Sequence, residues 1–159
     1  MNIYEFAMQM ERDGERFYRN LADGSSSQGM SRILTALADD EAKHYIIVKE
    51  MAEGVEPDMD RTTILADAKN VFAQMQGTSL DLGGLQVEVY RQAQEIERQS
   101  REFYKEQAAQ ATQASARTIL LEIADEEQRH YFLLDRIVEF IDRPRTWIEN
   151  AEFNHLDEY

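Results

Sequence analysis

Residues 39–45 read DDEAKHY and residues 125–131 read DEEQRHY, so nearly the same seven residues occur twice in the chain. Each copy contains a glutamate followed three positions later by a histidine, as Glu41 and His44 or as Glu127 and His130. On a helix this spacing corresponds to about 4.5 Å of axial rise and leaves both side chains on one face. The two stretches therefore predict two helices that each present a carboxylate and an imidazole together.

The repetition extends from these stretches to a whole pair of helices. A shift of 86 positions, without a gap, also aligns Glu11 with Glu97 and the residues around them. The aligned identities include Tyr4 and Tyr90, Ala7 and Ala93, Phe17 and Phe103, Tyr18 and Tyr104, Leu34 and Leu120, and Ala38 and Ala124. The first two long helices are therefore expected to be duplicated as the last two.

Composition favours helix almost throughout, because only two prolines and seven glycines interrupt the chain. Apolar residues at helical spacing also predict a helix inside the long central connection, at residues 61–76. The expected fold is an all-α four-helix bundle with one long crossover between its second and third helices. The four long helices are predicted at about residues 2–23, from Ser26 or Ser27 to Gly54, 83–111 and 113–142.

Length and charge limit the function classes. The 159 residues fit one domain at 1–143 and a tail at 144–159 that is compatible with one short helix. The absence of cysteine excludes disulfides and cysteine-ligated metals. No segment approaches the roughly 20 apolar residues of a membrane span, so a cytoplasmic protein is expected. The net charge of −14 argues against nucleic acid or an anionic membrane as a partner.

Four glutamates lie within the apolar stripes of the predicted helices and are expected to face the core: Glu11, Glu41, Glu97 and Glu127. Burying one carboxylate has an idealised cost on the order of 20 kcal/mol, and several kcal/mol after relaxation. Such groups must be protonated, paired or bound to metal, and few cationic side chains share their stripes. Two divalent ions would neutralise the four carboxylates, which makes a metal site the favoured interpretation.

Several neighbouring residues allow two interpretations. Tyr18 and Tyr104 either fill the core or donate a hydrogen bond to a ligand carboxylate. Asp40 and Glu126, which precede the repeated glutamates, either orient a histidine or are exposed. A third Glu-x-x-His pair, Glu152 and His155, lies in the polar tail without a duplicate, and we interpret it as surface.

The stretches ERDGERFY, ALADDEAKHY, EIERQSREFY and EIADEEQRHY resemble the rubrerythrin-like branch of the ferritin-like superfamily, over about residues 4–141. The resemblance implies a ferritin-like bundle with a two-metal site, in which Glu41 and Glu127 bridge the ions. Two departures from the family weaken the expectation of an efficient peroxidase cycle: there is no cysteine-rich rubredoxin domain, and Gln94 stands where an additional glutamate is usual. The implied metal ligands are Glu11, Glu41, His44, Glu97, Glu127 and His130.

Three functions remain open on this basis. The first is a di-iron or di-manganese oxidoreductase of oxidative stress, which reduces hydrogen peroxide or dioxygen with an external electron donor and forms a homo-oligomer, a dimer. The second is an iron-binding ferroxidase, in which ferrous ion is the substrate. The third is a helical interaction module whose acidic core is vestigial. Iron is the expected metal, but manganese or zinc also suits glutamate and histidine ligands.

Overall fold

The computed structural model describes residues 2–75 and 87–142, and this part of the chain contains α-helices and no strand. The predicted all-α class is therefore confirmed. The helix predicted inside the central connection at residues 61–76 is present, and it begins at Ile64, three residues later than expected, while residue 76 lies outside the described residues. The helices are α1 at Ile3–Gly24, α2 at Gln28–Ala52, α3 at Ile64–Met75, α4 at Val87–Gln110 and α5 at Ala114–Asp142.

Local capping explains where α1 and α2 begin and where α2 ends. Asn2 and Glu5 form a capping box at the start of α1, and the Ser27 hydroxyl accepts a hydrogen bond from Met30 N at the start of α2. Beyond the end of α2, Gly54 adopts a φ of 77°. Its N–H donates to Met51 O while Val55 N–H donates to Glu50 O, which is a Schellman motif.

The long helices pack as two hairpins, α1 with α2 and α4 with α5. Residues 25–27 and 111–113 join the members of each hairpin, and connections this short produce antiparallel neighbours. Helix α3 packs against α2 and α5 and so spans the two hairpins on one side. This arrangement agrees with the predicted duplicated helix pair.

Apolar side chains form two core clusters, and each long helix contributes residues to both. Between the two clusters, each of these helices carries one of the four glutamates that were predicted to face the core. On α2, Leu34 and Leu37 belong to one cluster and Ile47 to the other, with Glu41 between them. Helix α3 contributes only to the first cluster, where the rings of Phe72 and Phe140 lie 5.1 Å apart. The bundle therefore has an apolar end on each side of a polar middle layer.

Some predictions fall on residues outside the described part of the chain. These are the start of the predicted third long helix at 83–86, the remainder of the crossover, the boundary at residue 143, the short helix of the tail, and Glu152 with His155. No helix of the described chain is both long enough and apolar enough to cross a membrane.

Candidate metal centre

All six predicted ligands meet in the polar middle layer of the bundle. Their residues are at most 3% exposed. Within each of two groups, one candidate donor atom per residue lies within 4.8 Å of all the others. Because Glu41 and Glu127 belong to both groups, they occupy the positions expected of bridging ligands. The groups are Glu11, Glu41, His44 and Glu127, and Glu41, Glu97, Glu127 and His130.

Each histidine faces the other hairpin through its Nδ1 atom. His44 on α2 places Nδ1 2.9 Å from Glu127 Oε1, and 3.6 Å from Glu11 Oε2. His130 on α5 places Nδ1 3.1 Å from Glu41 Oε1 and 3.3 Å from Glu97 Oε1. The two rings are nearly parallel, with centroids 6.1 Å apart. Both groups therefore require the two hairpins to be assembled.

The opposite ring nitrogens are held by the acidic residues that precede the shared glutamates. His44 Nε2 lies 2.9 Å from Glu126 Oε1, and His130 Nε2 lies 2.8 Å from Asp40 Oδ2. Burial opposes ionisation of both acids, but the hydrogen bond and charge of the histidine outweigh it and lower the pKa of Asp40 and Glu126. A carboxylate can only accept, so Nε2 donates and Nδ1 remains directed at the glutamates.

Tyr18 and Tyr104 also act across the bundle. Tyr18 Oη on α1 donates to Glu97 Oε1 on α4, and Tyr104 Oη on α4 donates to Glu11 Oε1 on α1, each at 2.5 Å. Burial, followed by the charge of the nearby glutamates, raises the pKa of both phenols well above 10. Of the two interpretations of these tyrosines, the hydrogen bond to a candidate ligand is therefore the one observed.

Several buried polar atoms of the centre have no hydrogen-bond partner in the described chain: Glu11 Oε2, His44 Nδ1, Glu97 Oε2 and Glu127 Oε1. His44 Nδ1 and Glu127 Oε1 are close to each other but are not aligned for a hydrogen bond. Buried polar atoms are seldom left unpaired in proteins, and here the unpaired ones converge on one place. Their oxygen and imidazole nitrogen donors fit iron, manganese or zinc.

Comparison with known families gives a match to rubrerythrin over residues 2–138. The chain belongs to the rubrerythrin family. This confirms the predicted family, and the buried Glu/His groups are compatible with its di-iron site. Neither the curated proteins nor the solved structures with which the chain was compared gave a match.

In this rubrerythrin-family chain the four candidate ligand glutamates form two pairs, whose pKa values are shifted in opposite directions. Burial and the charges of the neighbouring glutamates raise the pKa of Glu41 and Glu127 well above 4.5. Burial also acts on Glu11 and Glu97, but hydrogen bonds and the charge of a histidine outweigh it and lower their pKa. When no metal is bound, the shared glutamates therefore bind a proton more readily than the outer ones.

The histidines respond in the opposite direction to their burial. Burial alone would lower the pKa of His44 and His130, but the charges of Glu11 and Glu97 and several hydrogen bonds raise it well above 6.5. Both rings are therefore protonated in the metal-free protein at neutral pH. A metal ion at Nδ1 must displace a proton, which couples metal binding to pH.

A cavity of about 370 Å³ lies between α1 and α4 and reaches Glu41, Glu97 and Glu127. Its walls include Met10, Phe17 and Ile96, together with the small residues Gly14 and Ser100. A Cβ atom at Gly14 would lie 3.4 Å from Glu41 Oε2, so the glycine leaves room beside the carboxylate. Sequence reasoning missed this cavity, although the alignment of two small residues in the repeat was a signal for it.

Gln94 is buried, and its side chain connects α4 to α5. Its Nε2 donates to Tyr131 O at 3.2 Å, and its Oε1 accepts from Arg91 Nη1 at 2.8 Å. At position 94, where the resemblance implied a further glutamate, this chain therefore has an amide that bonds Arg91 within α4 and Tyr131 on α5. The six-residue centre has no additional acid at that position.

Proposed function

We propose that this rubrerythrin-family protein reduces hydrogen peroxide or dioxygen at a pair of iron ions bound by the six buried residues. The observation that carries the proposal is the overlap of the two groups, because two ions that share Glu41 and Glu127 lie side by side. One ion would take Glu11 and His44, and the other Glu97 and His130, each together with the shared glutamates. Manganese would fit the same donors.

A bound ferrous pair would supply the two electrons that convert one peroxide molecule and two protons into two water molecules. The chain contributes access, orientation and protons. The cavity between α1 and α4 ends at three of the glutamates and is large enough for peroxide or dioxygen. Its apolar wall residues Met10, Phe17 and Ile96 limit water around the reacting molecule.

Protons and orientation come from the groups around the ligands. Tyr18 and Tyr104 keep their phenolic protons at neutral pH, and each phenol oxygen lies 2.5 Å from the carboxylate oxygen of the centre to which it donates. Asp40 and Glu126 fix the histidines so that Nδ1 faces inward. These contacts leave the ligand side chains little freedom, which favours two ions at fixed positions.

The electron donor is external in this proposal, because the chain has no cysteine with which to build an iron–sulfur or rubredoxin centre of its own. We further propose a cytoplasmic homodimer that acts in oxidative stress. Size measurement in solution tests the dimer directly, since a ferritin-like cage would be many times larger.

The test is an anaerobic titration with Fe(II), followed by one addition of hydrogen peroxide or dioxygen. We expect two ferrous ions per chain and oxidation of both by one equivalent of peroxide, followed by renewed turnover when a reductant is supplied. Continued iron oxidation far beyond two ions per chain, in a cage-sized assembly, would instead support the iron-handling alternative. Failure to bind Fe(II), Mn(II) or Zn(II), with an unchanged melting temperature, would favour the interaction module.

A further inference from the structure

The segment between α2 and α3 contacts both acidic partners of the histidines through a single residue. Thr62 N–H donates to Glu126 Oε2 at 2.9 Å, and Thr62 Oγ1 donates to Asp40 Oδ2 at 2.5 Å. Glu126 in turn holds His44, and Asp40 holds His130. Thr62 is thus one hydrogen-bonded step away from each histidine, although it belongs to neither hairpin.

We propose that Thr62 is a positioning residue for both halves of the metal centre, acting on His44 through its backbone and on His130 through its hydroxyl. The inference rests on the proposed two-metal site and deepens it, because it identifies what fixes the two nitrogen ligands. It assigns a function to the connection before α3, in which Met59 packs against the second core cluster.

The Thr62 hydroxyl is more important for holding Asp40 than the Thr62 backbone N–H is for holding Glu126. Asp40 Oδ2 receives both the Thr62 hydroxyl and His130 Nε2, and the Asp40 side chain is 15% exposed. Without the hydroxyl, water is the competing partner for this carboxylate, and His130 loses a fixed acceptor. Residues that hydrogen-bond a metal-ligating histidine directly, as Asp40 bonds His130, commonly change metal affinity about 10- to 100-fold when they are removed. Thr62 acts through Asp40, so the loss of its hydroxyl should have an effect at the lower end of that range.

Glu126 has a second support that Asp40 does not have in the described part of the chain. Lys43 Nζ lies 3.0 Å from Glu126 Oε1 and also donates to Asp60 O at 2.9 Å. A change of the Thr62 side chain leaves both the Lys43 contact and the backbone N–H of residue 62 in place. The His44 half should therefore retain its orientation when only the hydroxyl is lost.

The decisive variant is Thr62→Val, which removes the hydroxyl and keeps the branched shape. The probe is Zn(II), added to protein with ¹⁵N-labelled histidine, so that the Nδ1 signals of His44 and His130 report the two halves separately. We expect Zn(II) affinity at His130 to fall about tenfold, the lower end of the loss that follows removal of a histidine's direct partner. Affinity at His44 should stay within about twofold. Thr62→Ser, which restores a hydroxyl, should restore binding at His130.

Two further variants serve as controls. Thr63→Val removes a neighbouring hydroxyl that donates to Asp67 Oδ2 on the surface at 2.7 Å, and it should change neither half. Lys43→Met removes the second support of Glu126 and should weaken the His44 half instead. Equal weakening of both halves in Thr62→Val, or failure of Thr62→Ser to restore binding, would overturn the proposal.

A measurement without metal keeps the proposal testable if Zn(II) binding is complicated. In the metal-free protein, Thr62→Val should shift the His130 Nε2 signal and leave the His44 signal in place. If both signals are unchanged, Thr62 does not position His130. Wild-type protein that binds no metal ion at all would overturn the proposed function together with this inference, whereas wild-type binding that Thr62→Val leaves intact would overturn only the inference.

Discussion

The two hairpins of this molecule supply the same candidate metal ligands but differ in the residues around those ligands. Glu11, Glu41 and His44 of α1 and α2 recur as Glu97, Glu127 and His130 of α4 and α5, and the structure brings both sets into one centre. Their surroundings have diverged, since Gly14 aligns with Ser100 on the cavity wall. The comparison teaches that the donor set is two-fold symmetric, while access and support differ between the halves.

The largest effect should follow from breaking the shared part of this symmetry. Glu41→Gln or Glu127→Gln removes a ligand from both groups, so each variant should lose binding of both ions, with affinity lowered more than about 100-fold. Glu11→Gln or Glu97→Gln removes a ligand from one group only and should leave one ion bound. Isothermal titration with Mn(II) or Fe(II) under nitrogen measures the stoichiometry.

The same variants separate metal binding from folding. Because the pKa of Glu41 and Glu127 is raised by burial and by the neighbouring carboxylates, the metal-free protein favours their neutral forms, which an amide replaces with little electrostatic change. The metal-free melting temperature should therefore stay within a few degrees of the wild type. Glu106→Gln, on the exposed face of α4, is the matched control. One ion still bound in Glu41→Gln would contradict shared ligation.

Much of this symmetric core could be predicted from sequence. The spacing of Glu41 and His44 within an apolar stripe, repeated 86 residues later, required two helices with buried acids. The cap of α2 was predicted at Ser26 or Ser27, and the structure has it at Ser27. These features are local, because they depend on helix period and on residues a few positions apart.

The contacts around the candidate ligands could not be predicted because they depend on how the hairpins and the connection before α3 dock. Spacing along α4 could not indicate that Tyr104 would bond Glu11 across the bundle. Nor did any periodic pattern identify Thr62, whose contacts come from a connection that packs over two different helices. For Asp40 and Glu126 the sequence left two interpretations open, that they orient a histidine or that they are exposed. Their burial depends on that same connection, so the sequence could not decide between the two.

The second prediction concerns pH. As pH rises, the stability of the metal-free protein should fall, while the affinity for metal should increase. The pKa of His44 and His130 is raised above 6.5, so their contribution to metal-free stability is complete below pH 6.5 and is lost as pH rises through the folded values. The raised pKa of Glu41 and Glu127 also makes the stability of the metal-free protein fall as pH rises above 4.5. Metal affinity should increase over that interval because binding displaces these protons.

Thermal unfolding at pH 6 and pH 8, with and without Zn(II), measures this difference. For a chain of this size, each 1 kcal/mol corresponds to about 2–4 °C, so a fall of several degrees is expected without metal. The stabilisation by Zn(II) should grow over the same interval. A metal-free melting temperature that rises from pH 6 to pH 8 would show that the centre is not protonated as described.

A third prediction tests the difference on the cavity wall. Gly14→Val adds a branched side chain whose Cβ lies 3.4 Å from Glu41 Oε2, so it should narrow the cavity beside that carboxylate. We expect kcat/KM for peroxide to fall at least about tenfold, or about 1.4 kcal/mol. The number of bound ions should not change. Ser100→Ala, which makes the opposite wall smaller, should have little effect, and an equal loss in both variants would mean that the cavity is not the entrance.

The smallest effect on metal binding should come from replacing the tyrosines, and it tests whether the His44 half and the His130 half are equivalent. Tyr18→Phe removes the hydrogen bond to Glu97, and Tyr104→Phe removes the one to Glu11. Each loss should cost about 1–3 kcal/mol of unfolding free energy in the metal-free protein, because a buried acceptor loses its donor. With Zn(II), Tyr18→Phe should weaken the His130 half and Tyr104→Phe the His44 half, each by a few-fold. Weakening of the half that contains the histidine of the tyrosine's own hairpin, seen in the ¹⁵N signals of the histidines, would contradict the crossed pairing of the hairpins.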